Sequence, residues 1–111
     1  MLEDLIIFKK SYDFSKWLFQ HTNKFPKSHR FSAAVRLENA MLEFLRLISI
    51  ANNRHQKLPL LRTADEELVT LRILMRFSHD LRFINTKSYE YAIKQLEEIG
   101  KMLGGWIKKN S

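Results

Sequence analysis

The residues of this chain with the clearest chemical potential are cations grouped around a proline. The stretch 24–31 (KFPKSHRF) contains no acid, and its cationic or titratable side chains are Lys24, Lys27, His29 and Arg30. Arg36 follows one to two helical turns later, and no carboxylate lies between Lys24 and Arg36. Such a surface can attract an extended polyanion, for instance a nucleic acid. The alternative is an ordinary solvated corner between two helices.

A second group of cations lies in the third amphipathic segment of the chain. Spacings of four, three and three residues predict one helical stripe made of Arg72, Arg76, His79 and Arg82. Here too a purely structural role is the alternative, because Arg76 can pair with Asp80 at i+4 and charged runs are usually solvated faces. The candidate nucleic-acid-binding residues are Lys24, Lys27, His29, Arg30, Arg36, Arg72, Arg76 and Arg82.

Catalytic and metal-binding patterns are missing from the sequence. There is no cysteine, no His-Glu-x-x-His, no Glu-x-x-His and no glycine-rich phosphate loop. The four histidines show no metal-ligand spacing, and His79 and Asp80 are adjacent, so on a helix they point about 100° apart. We therefore expect a protein that is not an enzyme and has no metal or cofactor. An enzyme with its site between subunits is the remaining alternative.

Composition indicates one helical domain over residues 1–111. Hydrophobic residues make up 45% of the chain, with only three Gly and two Pro. The net charge of +7 is spread along the sequence, so a cationic surface has to be assembled by folding. No apolar run approaches the roughly 18 residues of a membrane span, and the N-terminus lacks the basic segment of a signal peptide. We expect a cytoplasmic protein with no membrane contact.

The elements that would position the cations are long amphipathic helices. Helix one is predicted from Glu3 or Asp4 to Lys24, with one apolar row at Leu5, Phe8, Tyr12, Ser15, Phe19 and Thr22 and another at Ile7, Phe14, Leu18 and Phe25. Pro26 ends it, and Ser28 is expected to cap helix two, which runs to about Asn53. Its predicted core row is Ala34, Leu37, Met41, Phe44, Ile48 and Ala51, flanked by Phe31, Val35, Leu42 and Leu45.

Two further helices complete the prediction. Helix three begins at Pro59 or at the capping box 63–66 and runs to about Ile84, with a main row of Leu61, Ala64, Leu68, Leu71, Met75 and Ser78 and a second of Leu74, Phe77, Leu81 and Ile84. Helix four is capped by Thr86 and carries Tyr89, Ala92, Leu96, Ile99, Leu103 and Trp106 on one side. Gly100 and Gly104 leave one flank bare, so a backbone or a large ring can approach there; alternatively, Gly104 and Gly105 end the helix.

Four such helices with short connections predict an antiparallel up-down-up-down four-helix bundle. The apolar faces of helices one and two are wider than a lone bundle needs, and they include exposed-row candidates at Ile6, Trp17, Leu47 and Ile50. Because surplus apolar surface marks association, we expect a homo-oligomer.

Several motifs, in order along the chain, resemble the accessory variability determinant family (Avd) of diversity-generating retroelements. They are Phe25-Pro26-x-Ser28-x-Arg30-Phe31, Leu71-Arg72-x-Leu74-x-Arg76-Phe77-x-x-Asp80-Leu81, Tyr89-Glu90-x-Ala92 and Glu98-Ile99-Gly100-Lys101-Met102-Leu103-Gly104-Gly105-Trp106. Two of these segments are also similar to the wider superfamily of four-helix proteins encoded in 23S rRNA intervening sequences. That branch typically has glycine after the aromatic at position 31 and Ile-Ala-Glu-Gly at the end of helix two, where this chain reads 32–34 Ser-Ala-Ala and 50–53 Ile-Ala-Asn-Asn.

The resemblance implies a barrel-like homopentamer of four-helix bundles with a basic surface. It further implies a partner protein of the retroelement's reverse transcriptase, which takes part in copying template RNA into mutagenised cDNA without being the polymerase. Nucleic acid, RNA or DNA, would then be held through its backbone without base-specific readout. The alternative is a protein-interaction scaffold whose positive charge serves solubility or docks an acidic partner.

Overall fold

The computed structural model describes the backbone of residues 2–111 and the side chains from residue 6 onward. Over this range the chain forms four α-helices and no strand. The helices are α1 (Leu2–Thr22), α2 (Val35–Asn52), α3 (Leu58–Asp80) and α4 (Thr86–Lys109). A 3₁₀ turn (Lys27–His29) and a π turn (Arg30–Ala34) lead into α2. None of these helices has an apolar length sufficient to cross a membrane, over the residues described.

The helices form an antiparallel bundle around one core. Contacts join α1 to α2, α2 to α3, α3 to α4 and α4 back to α1, and short connections reverse the chain between them. The predicted core rows of α2 and α3 are confirmed, since all twelve residues are at most 2% exposed. The row on α4 is also confirmed at Ala92, Leu96, Ile99, Leu103 and Trp106, while Tyr89 is half-buried.

The second of the two rows predicted for helix one, Ile7, Phe14, Leu18 and Phe25, is confirmed as buried, whereas of the described residues of the first row only Ser15 and Thr22 are buried. The core residues of α1 are Ile7, Phe14 and Leu18, together with Ser11, Ser15 and Thr22, whereas Phe8 and Tyr12 are 38% and 47% exposed. Two adjacent rows of similar hydrophobicity leave the choice of face to packing, and the small serines let α1 approach its neighbours closely. Glu3, Asp4 and Leu5 lie outside the described side chains. Thr22 closes the α1–α2 corner by donating a 2.6 Å hydrogen bond to Glu38.

The entry into α2 differs from the prediction. Ser28 forms no capping hydrogen bond, and the helix proper begins at Val35 after the 3₁₀ and π turns. Because a π turn holds more residues than an α turn, the helical phase shifts, and Phe31 ends 83% exposed. Leu42 is half exposed, whereas Leu47, expected on the surface, is buried. Of the other exposed-row candidates, Ile6 is exposed, and Trp17 and Ile50 are half-buried.

Both ends of α3 differ in part from expectation. The helix begins at Leu58 with Pro59 in its first turn, so the box at 63–66 is not its start. It ends at Asp80, which leaves Phe77 and Leu81 exposed, although Ile84 is buried. At the other end of the bundle, the Lys57 ammonium donates to the carbonyls of Ala51, Asn52 and Arg54 and so caps the end of α2.

Helix α4 is capped by Asn85, one residue earlier than expected, whose side chain accepts from the Ser88 amide at 2.8 Å. It continues through Gly104 and Gly105 to Lys109, so these glycines do not end it. Among the described residues, a Cβ at either position would meet no atom within 4 Å, so the predicted close approach of a ring is not seen there. At Gly100 the close neighbour is a guanidinium nitrogen of Arg72 and not an aromatic ring.

Candidate nucleic-acid interface

The corner between α1 and α2 holds its cations in solvent and is anchored to the core by Phe25. Phe25 is 7% exposed and forms part of the core, and the following Pro26 has an extended backbone (φ −54°, ψ 139°) that turns the chain. The amide of His29 bonds to the Pro26 carbonyl at 2.9 Å and closes the 3₁₀ turn. Between and beyond these anchors, Lys24, Lys27 and Arg30 are exposed.

This corner meets the connection between α3 and α4. The His29 ring lies 4.4 Å from the Phe83 ring, and the Phe25 ring lies 5.6 Å from it. The contact places Arg82, next to Phe83, at the same end of the bundle as the α1–α2 corner. We call this end the corner end and define it as residues 20–38 and 76–90.

The corner end carries more than its share of the positive charge. It holds seven Lys/Arg and three Asp/Glu, which is four of the seven net charges of the chain. The cations are Lys24, Lys27, Arg30, Arg36, Arg76, Arg82 and Lys87. Among the described side chains, none of the seven forms an ion pair, the predicted pair of Arg76 with Asp80 included. An end of this composition presents a positive potential to solvent.

Ion pairs lie elsewhere on the molecule. Lys9 and Lys16 share Asp13, Lys10 pairs with Glu98 across α1 and α4, and Arg46 forms two bonds to Glu43. Hydrogen bonds from Lys9, Arg46 and Lys10, respectively, lower the pKa of the Asp13, Glu43 and Glu98 carboxyls below their usual values. These contacts neutralise charge on the long sides of the bundle and leave the corner end basic.

The predicted stripe on α3 is only partly formed. Arg76 is exposed one turn before the helix ends, but Arg82 lies beyond that end. Arg72 lies one turn before Arg76 in α3 and is half-buried, and its guanidinium lies over Gly100 of α4. At a rise of about 1.5 Å per residue, Arg72 lies about 12 Å from the end of α3. Of the eight candidate residues, the structure therefore gathers seven at the corner end and separates Arg72 from them.

Arg82 holds an unusual backbone conformation. Its φ of 65° lies in the left-handed region, and no other described residue, glycine included, has a positive φ. Its amide bonds to the His79 carbonyl at 2.9 Å, and the Phe83 amide bonds to the Ser78 carbonyl at 2.8 Å. These bonds form a Schellman motif, whose left-handed position is usually glycine. An arginine at this position carries conformational strain that a glycine would not.

Histidine rings at the corner end stack on aromatic side chains. His21 stacks on Trp17 at 3.9 Å, and His79 stacks on Tyr89 at 4.4 Å. His79 Nε2 also lies 3.0 Å from the Thr86 hydroxyl, while its Nδ1 is 3.9 Å from Asp80, too far for a hydrogen bond. In the described part of the chain, no three His, Asp or Glu side chains are grouped as metal ligands.

Sequence reasoning missed Phe83 and Lys87 as members of this end. Phe83 seats the His29 ring, and Lys87 is exposed in the first turn of α4. The predicted topology contained the signal for Lys87, because the end of helix one and the start of helix four share one end of an up-down-up-down bundle. Nothing in the local sequence indicated the Phe83 contact, which depends on where α3 ends.

Two apolar faces are exposed, one on α3, which extends into the corner end at Phe77 and Leu81, and one on α1 and α2. The α3 face repeats every four residues at Val69, Ile73, Phe77 and Leu81, which are 45–62% exposed. The α1–α2 face comprises Phe8, Tyr12 and Leu42, which are 38–50% exposed, with Phe8 and Tyr12 stacked at 5.7 Å. Both faces belong to helices that are otherwise well packed, so they present rigid apolar surfaces to a partner.

Comparisons with known proteins agree with this architecture. A sequence profile of the bAvd-like family matches residues 5–110. A crystal structure of a protein of unknown function from the S23 ribosomal protein family, from Bacteroides thetaiotaomicron, superposes with a TM-score of 0.86. That alignment covers 96% of this chain and 98% of the other, at 17% identity. No curated protein matches the chain.

Proposed function

Because the chain belongs to the bAvd-like family, we propose that it is the non-catalytic accessory protein of a diversity-generating retroelement. In this role it binds the element's reverse transcriptase together with template RNA or cDNA and supports mutagenic retrohoming. The observation that carries the proposal is the corner end, where seven Lys/Arg side chains have no ion-pair partner among the described residues. Cations without carboxylate partners are available to neutralise phosphates.

In this proposal the basic surface positions a nucleic acid and carries out no reaction on it. Lysine and arginine contacts to phosphate fix the register and orientation of a nucleic acid but do not read its sequence. The guanidinium groups of Arg30, Arg76 and Arg82 can each donate two parallel hydrogen bonds to one phosphate, while Lys24 and Lys27 act as point charges. The protein would thus hold a strand near the polymerase while the polymerase supplies the catalytic groups.

The same proposal includes a ring of identical subunits, a homopentamer. The α3 face and the α1–α2 face lie on different helices, so one can pack against the other in a neighbouring copy. Head-to-tail contacts of this kind generate closed rings when the rotation between copies closes. A ring repeats the corner end in every subunit, and weak phosphate contacts then add through avidity.

Complementation between two variants tests the head-to-tail ring. Ile73→Glu disables the α3 face and Leu42→Glu disables the α1–α2 face, so each variant alone should be monomeric by light scattering. Mixed together they should form a dimer, since each retains the face that the other needs. Asn39→Glu, at an exposed polar position of α2, is the control and should keep the wild-type mass. Wild-type protein that stays monomeric, or two variants that never complement, would disprove this assembly.

Nucleic-acid binding is tested by a salt series with charge-reversed variants. Each neutralised phosphate of a single strand contributes about 0.7 to the slope of log K against log [salt]. Lys27→Glu with Arg30→Glu should therefore lower that slope by about 1.4 or more per protomer. The matched control is Arg54→Glu with Arg62→Glu, which makes the same charge change at the opposite end and should leave the slope near wild type.

Capture of the reverse transcriptase, measured beside RNA binding, distinguishes the proposed function from that of a protein-interaction scaffold that binds no nucleic acid. Wild-type protein should capture the purified reverse transcriptase and should also bind template RNA at low salt. Capture of the polymerase with no RNA binding at any salt concentration would favour the scaffold. Capture of neither would refute the proposed function.

A further inference from the structure

Phe31 is the most exposed large apolar side chain of the described residues. It is 83% exposed, compared with 62% for the next, Ile73. Its neighbours are also in solvent: Lys27, Ser28, Arg30 and Ser32 are exposed. The ring therefore stands inside the basic corner and not on either of the two apolar faces.

The backbone fixes this ring in position. Phe31 lies in the π turn, and that turn ends in Ala33 and Ala34, which are 2% and 0% exposed. On the other side of Phe31, the His29 ring is seated on Phe83 at 4.4 Å. The backbone that carries the exposed ring is thus anchored by the buried Ala33 and Ala34 on one side and by the half-buried contact of His29 with Phe83 on the other. π turns are rare and are found frequently at functional sites.

We infer that Phe31 is a stacking platform for a nucleobase and that the corner end binds single-stranded nucleic acid in preference to duplex. The inference rests on the proposed function and adds to it the class of nucleic acid and the residue that selects it. An aromatic ring among cations is the arrangement that single-strand-binding proteins use, because bases stack on the ring while cations follow the backbone. In a duplex the base faces are already stacked on one another, so Phe31 finds no partner there.

The charges beside Phe31 fit this use. Lys27 precedes the ring by four residues and Arg30 by one, and both are exposed, so cations are available to the phosphates next to a stacked base. None of these side chains has an ion-pair partner among the described residues. Stacking does not depend on base identity, since every base has a π face, so binding should tolerate sequence changes.

Substitutions at position 31 test the inference. At a fixed low salt concentration, Phe31→Ala and Phe31→Leu should each weaken binding to an unstructured RNA oligonucleotide by roughly 5-fold or more, and Phe31→Trp should retain it. Affinity for a duplex of the same sequence should change less than 2-fold in all three. Ser32→Ala, in the same π turn, is the control for local disturbance and should bind like wild type. The salt slope of Phe31→Ala should equal the wild-type slope, because no cation is lost.

The possible failures are distinguishable. If wild-type protein binds RNA with the expected salt dependence but Phe31→Ala binds single strands equally well, the stacking role is wrong and the proposed function stands. If Phe31→Ala instead lowers the oligomer mass or abolishes capture of the reverse transcriptase, with RNA affinity unchanged, the ring belongs to a protein interface and the inference is overturned. If wild-type protein binds no nucleic acid at low salt, the proposed function itself fails.

Discussion

Replacing Arg82 with glycine should stabilise the protein and weaken its binding to nucleic acid at the same time. Arg82 occupies the left-handed position of the Schellman motif that ends α3, with φ 65°. It also belongs to the basic corner end and has no ion-pair partner among the described side chains. The two properties predict opposite effects from one substitution.

The size of each effect follows from the structure. The left-handed conformation disfavours an L-residue by roughly 1–2 kcal/mol. Glycine avoids this penalty but loses about 0.5–1 kcal/mol through the greater freedom of the unfolded chain. The net gain for Arg82→Gly is therefore about 0–1.5 kcal/mol, or up to about 6 °C in Tm for a chain of this length. Loss of one phosphate contact should lower the salt slope for single-stranded RNA by about 0.7 per protomer.

Thermal unfolding and an RNA salt series on three variants separate the two effects. Arg82→Ala removes the charge but keeps the left-handed strain, so it should lose the phosphate contact without the stability gain. Arg82→Lys keeps the charge and should bind with the wild-type slope. If Arg82→Gly is no more stable than Arg82→Ala, the backbone argument is wrong. If the glycine variant binds with an unchanged slope, the charge of Arg82 is not used for phosphate.

Three further substitutions test the packing and electrostatics of the bundle. Thr22→Val removes the hydrogen bond to Glu38 from a buried position and should destabilise the protein by roughly 1–2 kcal/mol in denaturant unfolding; an unchanged midpoint would show that the corner does not depend on this bond. Gly104→Ala meets no neighbour among the described residues and should stabilise the monomer by roughly 0.5–1 kcal/mol, whereas destabilisation would indicate that α4 is not helical there. Burial, with repulsion from Glu43, raises the pKa of the Glu67 carboxyl, so its ionisation opposes folding at neutral pH. Glu67→Gln should therefore stabilise by up to roughly 0.5 kcal/mol at pH 7, and the difference should shrink as the pH falls through the raised pKa and vanish below the ordinary pKa that Glu67 has in the unfolded chain; a gain that is independent of pH would contradict the assignment.

Periodicity alone predicted the bundle and most of its core. The main rows of α2 and α3 were correct because each of these helices has one strongly apolar stripe, and the buried residues fall on it. Helix α1 has two apolar rows of similar strength, and its buried face takes Ile7, Phe14 and Leu18 from one row and Ser15 and Thr22 from the other, with Ser11 beside them. Which row turns inward depends on the fit between helices, and a single sequence does not contain that information.

The sequence predicted most of the cationic residues of the site but not their arrangement. The short connections brought the α1–α2 corner and Arg82 to one end of an up-down-up-down bundle, as helix order implies. The predicted helical faces assumed an unbroken helix through Phe31 and through Arg82. The π turn at Phe31 and the Schellman motif at Arg82 instead change the direction in which the following side chains point. The exposed ring of Phe31 and the position of Arg82 beyond the end of α3 follow from these local breaks.

The central claim is that the corner end holds a phosphate backbone, and lysine footprinting tests it most directly. Amine acylation of the protein with and without single-stranded RNA at low salt compares exposed lysines at the two ends of the bundle. Lys24, Lys27 and Lys87 should be protected several-fold by RNA, while Lys101 and Lys108 should react equally in both samples. Equal reactivity of the first three lysines with and without RNA, or protection confined to Lys101 and Lys108, would contradict the claim.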